Sequence, residues 1–329
     1  MRLLSYLLLA ATVSVGSAAV PHPKRATART SPPSGCKVVQ QDTTTSGYYS
    51  TISAAVASLS GTSAACIFIY SGSYSENFTI SYEGPLTLYG YTTNVGDYRN
   101  NAVTITHSYS SPAAGNLDAS STVNVRSSNF NMYNINVKNT YGAGAQAVAL
   151  TANGDKQGYY GCGFYGYQDT LYAKSGYQYY SNCYVEGAVD YIFGKAAAWF
   201  GECTLASNGG GAITANSRET SSDLTWYVID SSTITAASGK SLTGAVYLGR
   251  PWRVLARVIF QRSTLTDVVN AKGWTTLATD ATPIFEEFGN TGAGSTTTSR
   301  QYLTAATAIV TKSQLWPNGY RTFGLPGIC

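Results

Sequence analysis

The stretch Tyr159–Leu205 reads YYGCGFYGYQDTLYAKSGYQYYSNCYVEGAVDYIFGKAAAWFGECTL. One pattern recurs in it: an aromatic residue, two further residues, a cysteine, one more residue and an apolar side chain. Later copies carry serine instead, and the central positions of all five copies are Cys162, Cys183, Cys203, Ser232 and Ser263. The cysteines are 21 and 20 residues apart. Such spacing is typical of a solenoid of strands, whose coils stack because one coil cannot bury its apolar side alone.

Two carboxylates hold equal positions in successive repeats. Asp169 and Asp190 each follow the cysteine of their repeat by seven residues. Because adjacent strands lie ~4.8 Å apart, we expect these side chains to lie one above the other and to face the same way. Gln168 precedes Asp169, and Gln146 lies 22 residues earlier, about one coil away. A lone Asp usually caps or turns the chain, whereas paired titratable groups indicate a functional site.

Composition narrows the class of protein. Charged side chains make up 12% of the 329 residues, while Gly and Tyr occur 33 and 26 times. This is typical of a secreted β protein. The formal charge is +4, and without Arg2, Lys24 and Arg25 near the N-terminus 18 basic residues face 17 acidic ones. No basic face is visible, so we expect no nucleic acid partner, and a polyanionic substrate would be held by a few placed cations.

The N-terminal segment predicts export. Residues 1–19 have a basic start, an apolar run and small residues at the end, which is the pattern of a secretory signal peptide too short to span a membrane. Lys24 and Arg25 follow as a dibasic processing site or as part of a charged linker. Residues 20–35 form a Pro- and Ser-rich leader, disordered or removed. We expect residues 36–329 to form one soluble, extracellular domain without a membrane partner.

Six cysteines fit an oxidising compartment. Cys36 and Cys66 are the natural pair at the N-terminal end. Cys183 and Cys203 hold equal register and could bridge adjacent strands, although Cys162 competes for Cys183. The last cysteine of the chain is left to pair with Cys162 or to stay free. Two histidines and no closely spaced cysteine pair give no metal site.

Other segments indicate how the solenoid ends and where it opens. Tyr49–Ser60 has apolar residues at helical spacing and predicts a short capping helix over the N-terminal strand edge. Residues 301–316 predict a closing strand or helix at the other end. Asn77-Phe-Thr is a glycosylation sequon. The repeat lengthens to 29 and 31 residues after Cys203, and insertions of this kind form loops on one face, often the binding face.

These loops carry four features that could form the wall of a groove around the acids. They are Asn216, Arg218, Trp226 and the segment Tyr247–Trp252. Trp252 offers a flat apolar face for a sugar ring, although a tryptophan more often packs in a core.

Five ordered motifs resemble pectin methylesterases of carbohydrate esterase family 8. They are Gly72–Glu76, Gln146–Leu150, Gly166–Leu171, Val189–Gly194 and Leu248–Trp252. Ile213–Ala215 with Arg218, and Gly273–Trp274, are similar to further family positions. The resemblance covers about residues 36–329, and the short chain is similar to the fungal members. It implies an all-β fold, a right-handed parallel β-helix, in agreement with the repeat.

The resemblance also implies roles. Asp190 would be the nucleophile and Arg250 its partner, Asp169 the general acid and base, and Gln146 and Gln168 the donors to the oxyanion. The activity implied is hydrolysis of the C6 methyl esters of galacturonate in pectin, which releases methanol through a covalent acyl-enzyme. For this Asp169 must be protonated, and we expect the negative charge of Asp190 to raise the pKa of Asp169.

Substrate contacts are implied at Trp252, Phe193 and Trp274, with no metal or organic cofactor and a monomeric state. The spacing of Cys183 and Cys203 resembles a disulfide bridge of some bacterial relatives.

Two alternatives remain at this point: a β-helix lyase or hydrolase that cuts the pectin backbone, and a non-catalytic β-helix that binds polysaccharide. A lyase needs a calcium-binding acid cluster, and a polygalacturonase needs three Asp residues and a Gly-His-Gly. His107 is the one histidine beyond the leader, and it has no glycine beside it.

Overall fold

A computed structural model describes residues 27–316 and residue 319. The predicted signal peptide, the first part of the leader and Cys329 lie outside the described residues. The strands, numbered in chain order, form three sheets, and every pairing between them is parallel.

Sheet 1 contains β1 (Lys37–Val39), β2 (Tyr48–Tyr49), β3 (Ala65–Ile69), β6 (Leu86–Gly90), β9 (Phe130–Tyr133), β12 (Gln157–Tyr160), β15 (Tyr177–Ser181), β18 (Ala197–Gly201), β21 (Tyr227–Asp230), β24 (Arg257–Gln261), β26 (Ile284–Phe288) and β27 (Leu303–Thr304). Sheet 2 contains β4 (Gly72–Ser75), β7 (Val103–His107), β10 (Asn136–Asn139), β13 (Gly163–Tyr165), β16 (Tyr184–Gly187), β19 (Thr204–Ser207), β22 (Thr233–Ala236) and β25 (Thr264–Leu265). Sheet 3 contains β5 (Phe78–Ile80), β8 (Val123–Val125), β11 (Leu150–Asn153), β14 (Leu171–Ser175), β17 (Ile192–Gly194), β20 (Gly211–Asn216) and β23 (Val246–Pro251). The helices are α1 (Ile52–Ala57), α2 (Ser111–Ala114), α3 (Leu117–Ser120), α4 (Lys312–Leu315) and a 3-10 turn at Tyr98–Asn100.

Register along the stack follows the sequence repeat. Tyr159 pairs with Tyr180, and Tyr180 pairs with Phe200. Their buried rings stack at centroid distances of 4.9 Å and 4.5 Å. Each coil therefore covers the aromatic ring of the coil before it, which keeps the stack in register. The prediction of a parallel β-helix is confirmed.

Seven strands of sheet 1, from β9 to β26, are each followed by one residue in the left-handed region, which turns the chain towards sheet 2. These residues are Asn134, Gly161, Asn182, Glu202, Ser231, Arg262 and Gly289. After the first six of these residues the next residue is buried in the interior, and at five of the six it is the recurring cysteine or serine. Asn and Gly tolerate this conformation well, so the turns at Asn134, Gly161, Asn182 and Gly289 cost little.

The capping helix exists but is shorter than predicted. It spans Ile52–Ala57, with Ile52 buried in the core. Thr51 accepts the N–H of Ala54, and the carboxylate of Glu76 accepts the N–H groups of Ile52 and Ser53, both at 2.9 Å. A negative charge at a helix N-terminus is stabilising, so Glu76 has a structural role. This α1 is the longest helix among the described residues, and none of the helices there could cross a membrane.

The C-terminal segment closes the stack in two ways. Strand β27 pairs with β26 at the edge of sheet 1, as expected. Helix α4 instead covers the outer face of that sheet, where Leu315 and Trp316 pack with Trp199. Part of the leader is also ordered: Arg29 forms an antiparallel bridge with Thr92.

One disulfide prediction is confirmed and one is wrong. Cys36 and Cys66 are bonded. Cys183 and Cys203 are free, and so is Cys162. Side chains at equal register run parallel, whereas a disulfide requires converging Cβ directions. Each thiol contacts backbone carbonyls instead; Cys183 Sγ lies 3.4 Å from two carbonyl oxygens, and Cys203 Sγ lies 3.4 Å and 3.6 Å from two others.

Candidate active site

The two acids lie in the turns between sheets 2 and 3. Gln168 and Val189 form a parallel bridge, and the N–H of Asp169 donates to the carbonyl of Val189 at 3.0 Å. This register places Asp169 level with Asp190 on the next coil. Both residues have positive φ, 64° and 49°. Asp is one of the few residues that tolerate this conformation, and strained turns of this kind concentrate at functional sites.

Both acids line one cavity of about 250 Å³. The other lining residues are Leu117, Gln146, Gln168, Phe193, Ala215, Arg250, Trp252 and Leu277. Asp169 is 7% exposed and Asp190 8% exposed. The structure thus brings together all five residues expected to be catalytic, with two of the three expected substrate contacts.

Arg250 holds Asp190 in a bidentate ion pair. Its Nε and Nη2 donate to the two carboxylate oxygens, each at 2.8 Å. The hydrogen bond to Asp190 raises the pKa of Arg250. A planar guanidinium that donates to both oxygens fixes the orientation of the carboxylate.

Asp169 has the opposite environment. Burial raises its pKa to about 8, with a further contribution from the negative charge of Asp190 and an opposing one from Arg250. We expected the charge of Asp190 to be the cause, but loss of solvent is the larger one. Asp169 is therefore protonated at neutral pH beside an arginine-bound carboxylate, and two carboxyl groups in such different environments are suited to different roles.

Gln146 and Gln168 lie beside the acids. The carbonyl of Gln168 accepts the N–H of Ala147 at 3.1 Å, which fixes the two glutamines on successive coils. Within the described part of the chain, neither side-chain amide is engaged in a hydrogen bond. Their N–H donors are thus available to a ligand in the cavity.

Aromatic rings form the apolar side of the cavity. Phe193 stacks on Tyr172 at 4.3 Å, and Trp252 lies 5.8 Å from Phe193. Tyr172 pairs with Phe193 in the register of sheet 3 and lies 21 residues before it, so the repeat itself could have revealed it. Leu117 begins helix α3 and Leu277 lies in an irregular segment. Both are outside the repeat, where the sequence carries no such signal.

Trp274 does not line the cavity, so its expected substrate contact is wrong. It is fully buried, stacked on Phe285 at 4.2 Å, and its Nε1–H donates to Glu287 at 3.2 Å. Its bridge to Gly249 places it inside the coil rather than on the cleft side.

The groove-wall expectation is also wrong for three residues of the long loops. Arg218 is buried, and its guanidinium donates to the carbonyls of Ser221, Asp223 and Leu255. Asn216 is fully buried, and Trp226 packs under the guanidinium of Arg257 in a cation–π contact. These side chains hold the loops together, while Trp252 and Leu277 form the cleft wall.

A family model described as Pectinesterase matches residues 37–321. The chain belongs to the pectinesterase family. It is 60% identical to pectinesterase A of Emericella nidulans over 95% of each chain. The crystal structure of the Aspergillus niger pectin methylesterase, 62% identical, superposes with a TM-score of 0.86 over 88% of this chain and 95% of that one. The carrot pectin methylesterase, 31% identical, gives 0.77 over 84% and 90%.

Family membership makes the chain a carboxylic ester hydrolase that removes methyl esters from pectin. The cavity agrees with this activity, since an ester carbonyl requires a nucleophile, donors for an oxyanion and an acid for the departing alcohol. A pectinesterase fold also explains the mainly apolar cleft with a few convergent polar groups.

Proposed function

We propose that this pectinesterase demethylates C6 esters of galacturonate through an anhydride with Asp190. A carboxylate oxygen of Asp190 attacks the ester carbonyl, and the carbonyl π electrons move to oxygen. Gln146 and Gln168 donate their side-chain N–H groups to this oxyanion. One such donor is typically worth ~3–4 kcal/mol of transition-state stabilisation.

Asp169 then acts as the general acid. As the oxyanion collapses, the bond to the methoxy group breaks and its oxygen takes the proton of Asp169, which releases methanol. Asp169, now a carboxylate, removes a proton from water, which attacks the acyl carbon and expels Asp190. The net reaction consumes one water and gives a galacturonic acid unit, which ionises, with methanol and the starting enzyme, so no other reagent is needed.

The observation that carries this assignment is the difference between the two acids. Arg250 grips Asp190 with two hydrogen bonds of 2.8 Å, whereas burial raises the pKa of Asp169 to about 8. The first group is suited to attack as an anion, and the second is suited to hold a proton.

Substrate would lie along the apolar side of the cavity. Phe193 is nearly buried and stacked, so it supports the site, while Trp252 is partly exposed and offers its edge and face to a sugar ring. Pectin is the substrate class, and we propose that the enzyme acts as a monomer.

The remaining proposals concern the mature protein. We infer that residues 1–19 direct secretion, that the segment before residue 36 is processed at Lys24 and Arg25, and that the rest forms one domain. Asn77 is exposed at the start of β5 and suited to glycosylation. The similar Aspergillus niger enzyme was solved with an N-acetylglucosamine stub on an asparagine.

One assay tests the activity against both alternatives. Methylated pectin is incubated with the protein while methanol, chain length and the absorbance of unsaturated products are followed together. We expect methanol to appear at constant chain length and without new absorbance. Shortened chains without methanol would contradict the proposed reaction, and no change in any readout would favour a binding protein.

A further inference from the structure

A second cavity adjoins the one that holds the acid pair. It measures about 570 Å³ and is lined by Glu219, Trp252, Arg253, Val254, Leu277, Ala278 and Thr279. Trp252 and Leu277 line both cavities, so they form the boundary between them. A polymer with one sugar ring in the first cavity can therefore place a neighbouring ring in the second.

Arg253 is the cation of this second cavity. Its Nε lies 2.8 Å from Oε1 of Glu219, and its guanidinium lies 5.5 Å from the ring centroid of Trp252. The side chains of Arg253 and Glu219 are 51% and 56% exposed. Water screens such a pair, so exchanging Glu219 for another carboxylate changes the free energy little.

Two other cations near the cleft are less available. Arg250 already uses two N–H groups on Asp190. Lys174 lies 2.6 Å from Asp118, and that pair is less exposed, at 33% and 21%. Of these three cations, Arg253 is thus the one whose carboxylate partner, Glu219, is exposed enough for a substrate carboxylate to replace it.

We propose that Arg253 binds the free carboxylate of an unesterified galacturonate next to the methyl ester under attack. Glu219 holds the guanidinium over Trp252 until that carboxylate replaces it. A methyl ester at the same position offers no negative charge, so it leaves the Arg253–Glu219 pair intact. The inference rests on the proposed function, because it assigns the neighbouring position of the same cleft.

The test measures methanol release from two polymers. One is fully methylated homogalacturonan, and the other is the same polymer partly saponified by base. For each variant, kcat/KM per ester is compared as the ratio of the saponified to the fully methylated substrate. We expect R253M to lower this ratio about fivefold, the effect of losing one screened charge contact. R253K keeps the charge without the planar fork, so we expect a smaller loss.

Glu219→Gln tests the exchange itself. The variant removes the carboxylate that competes for Arg253, so the ratio rises above that of the wild type. Arg99→Met is the matched control, since Arg99 forms an exposed ion pair with Asp97 and lines neither cavity. We expect this control to leave the ratio unchanged. Added salt lowers the wild-type ratio towards that of R253M, because mobile ions screen exposed charges.

The failures can be told apart. If R253M keeps the wild-type ratio, or loses activity equally on both polymers, the carboxylate-binding role is wrong while the esterase assignment stands. If E219Q lowers the ratio as R253M does, the exchange is wrong. If the folded wild type releases no methanol from either polymer, the proposed function fails and the inference fails with it. Thermal unfolding of each variant confirms that the comparison is made on folded protein.

Discussion

Two buried aspartates in this molecule are each held by an arginine that contacts both carboxylate oxygens, but their surroundings differ. Arg250 donates to both oxygens of Asp190 at 2.8 Å. Arg262 donates to both oxygens of Asp230 at 2.6 Å to 2.8 Å. The two aspartates are 8% and 7% exposed. Neither the contact with arginine nor the burial of the aspartate distinguishes them.

The neighbours of the two pairs differ. Asp190 faces an open cavity and has Asp169 on the adjacent coil. Asp230 accepts a further hydrogen bond from Gln261, whose side chain also binds the backbone of Val310 and so fixes the C-terminal segment. An ion pair with arginine is therefore not by itself evidence of a catalytic role, since at Asp230 the same contact is structural. We propose that an arginine-bound carboxylate acts as a nucleophile where space for substrate and a second, protonated acid adjoin it.

We expect the largest effect on activity from substitutions of Asp190, with Asp230 as the comparison. Asp190→Ala and Asp190→Asn should lower kcat by about 10⁴-fold or more, because the attacking atom is lost. Asp230→Asn should keep kcat within a small factor but lower the free energy of unfolding by about 1–3 kcal/mol, since hydrogen bonds to a charged group are weakened. Methanol release measures kcat, and denaturant unfolding measures the free energy of unfolding. If Asp190→Ala keeps most of the wild-type activity, Asp190 is not the nucleophile.

Asp169 gives the next largest effect. Asp169→Asn and Asp169→Ala should lower kcat by about 10²- to 10⁴-fold, because general acid catalysis is lost while Asp190 remains. In the wild type, kcat/KM should fall as pH rises through about 8, where Asp169 loses its proton. The pH profile of methanol release checks this. An alkaline limb well below pH 7 would contradict the assignment of Asp169 as the acid.

The same comparison can be made between two glutamines, Gln168 in the cavity and Gln178 in the core. Gln168→Ala should lower kcat by about 10²-fold, since one donor to the oxyanion is removed. Gln178→Ala is the matched control, because Gln178 is fully buried and donates to the backbone carbonyls of Ala152 and Ser175. We expect the control to lower the melting temperature and keep kcat. Equal loss of kcat in both variants would assign Gln168 a structural role only.

The smallest effect is a change in stability with pH. The folded pKa of Asp169 is raised, so its protonated form favours the folded state fully below ~3.9, the unfolded pKa. This contribution is lost as pH rises to about 8. Asp169→Asn, which never ionises, should therefore melt at a higher temperature than the wild type, by a margin that grows between these pH values. A constant margin would show that burial does not destabilise the charged form.

The repeat made the placement of the acids predictable. A period of 21 residues sets Asp169 level with Asp190 whatever the side chains around them, and the same counting sets Tyr172 level with Phe193. Cys36 and Cys66 also followed from their position at one end of the stack.

The burial and the orientation of individual side chains could not be predicted from the repeat. Trp252 directly follows strand β23 and Trp274 follows a turn. The structure is needed to show that Trp274 pairs with Gly249 and is fully buried, whereas Trp252 lines the cleft. Cys183 and Cys203 have the spacing of a bridge and side chains that run parallel. Leu277 lies in an irregular segment with no repeat to count from.

The placement of the disulfide has a consequence for inactivation by heat. Among the described residues, the bond Cys36–Cys66 ties only the N-terminal coils, while the other end depends on noncovalent contacts such as the buried Arg300–Glu287 pair. Coils stacked in one dimension fray from the less restrained end. Since Arg250 belongs to the strand nearest that end in sheet 3, fraying separates it from Asp190 early. If the proposed roles hold, we expect activity to be lost on heating while most of the molecule is still folded.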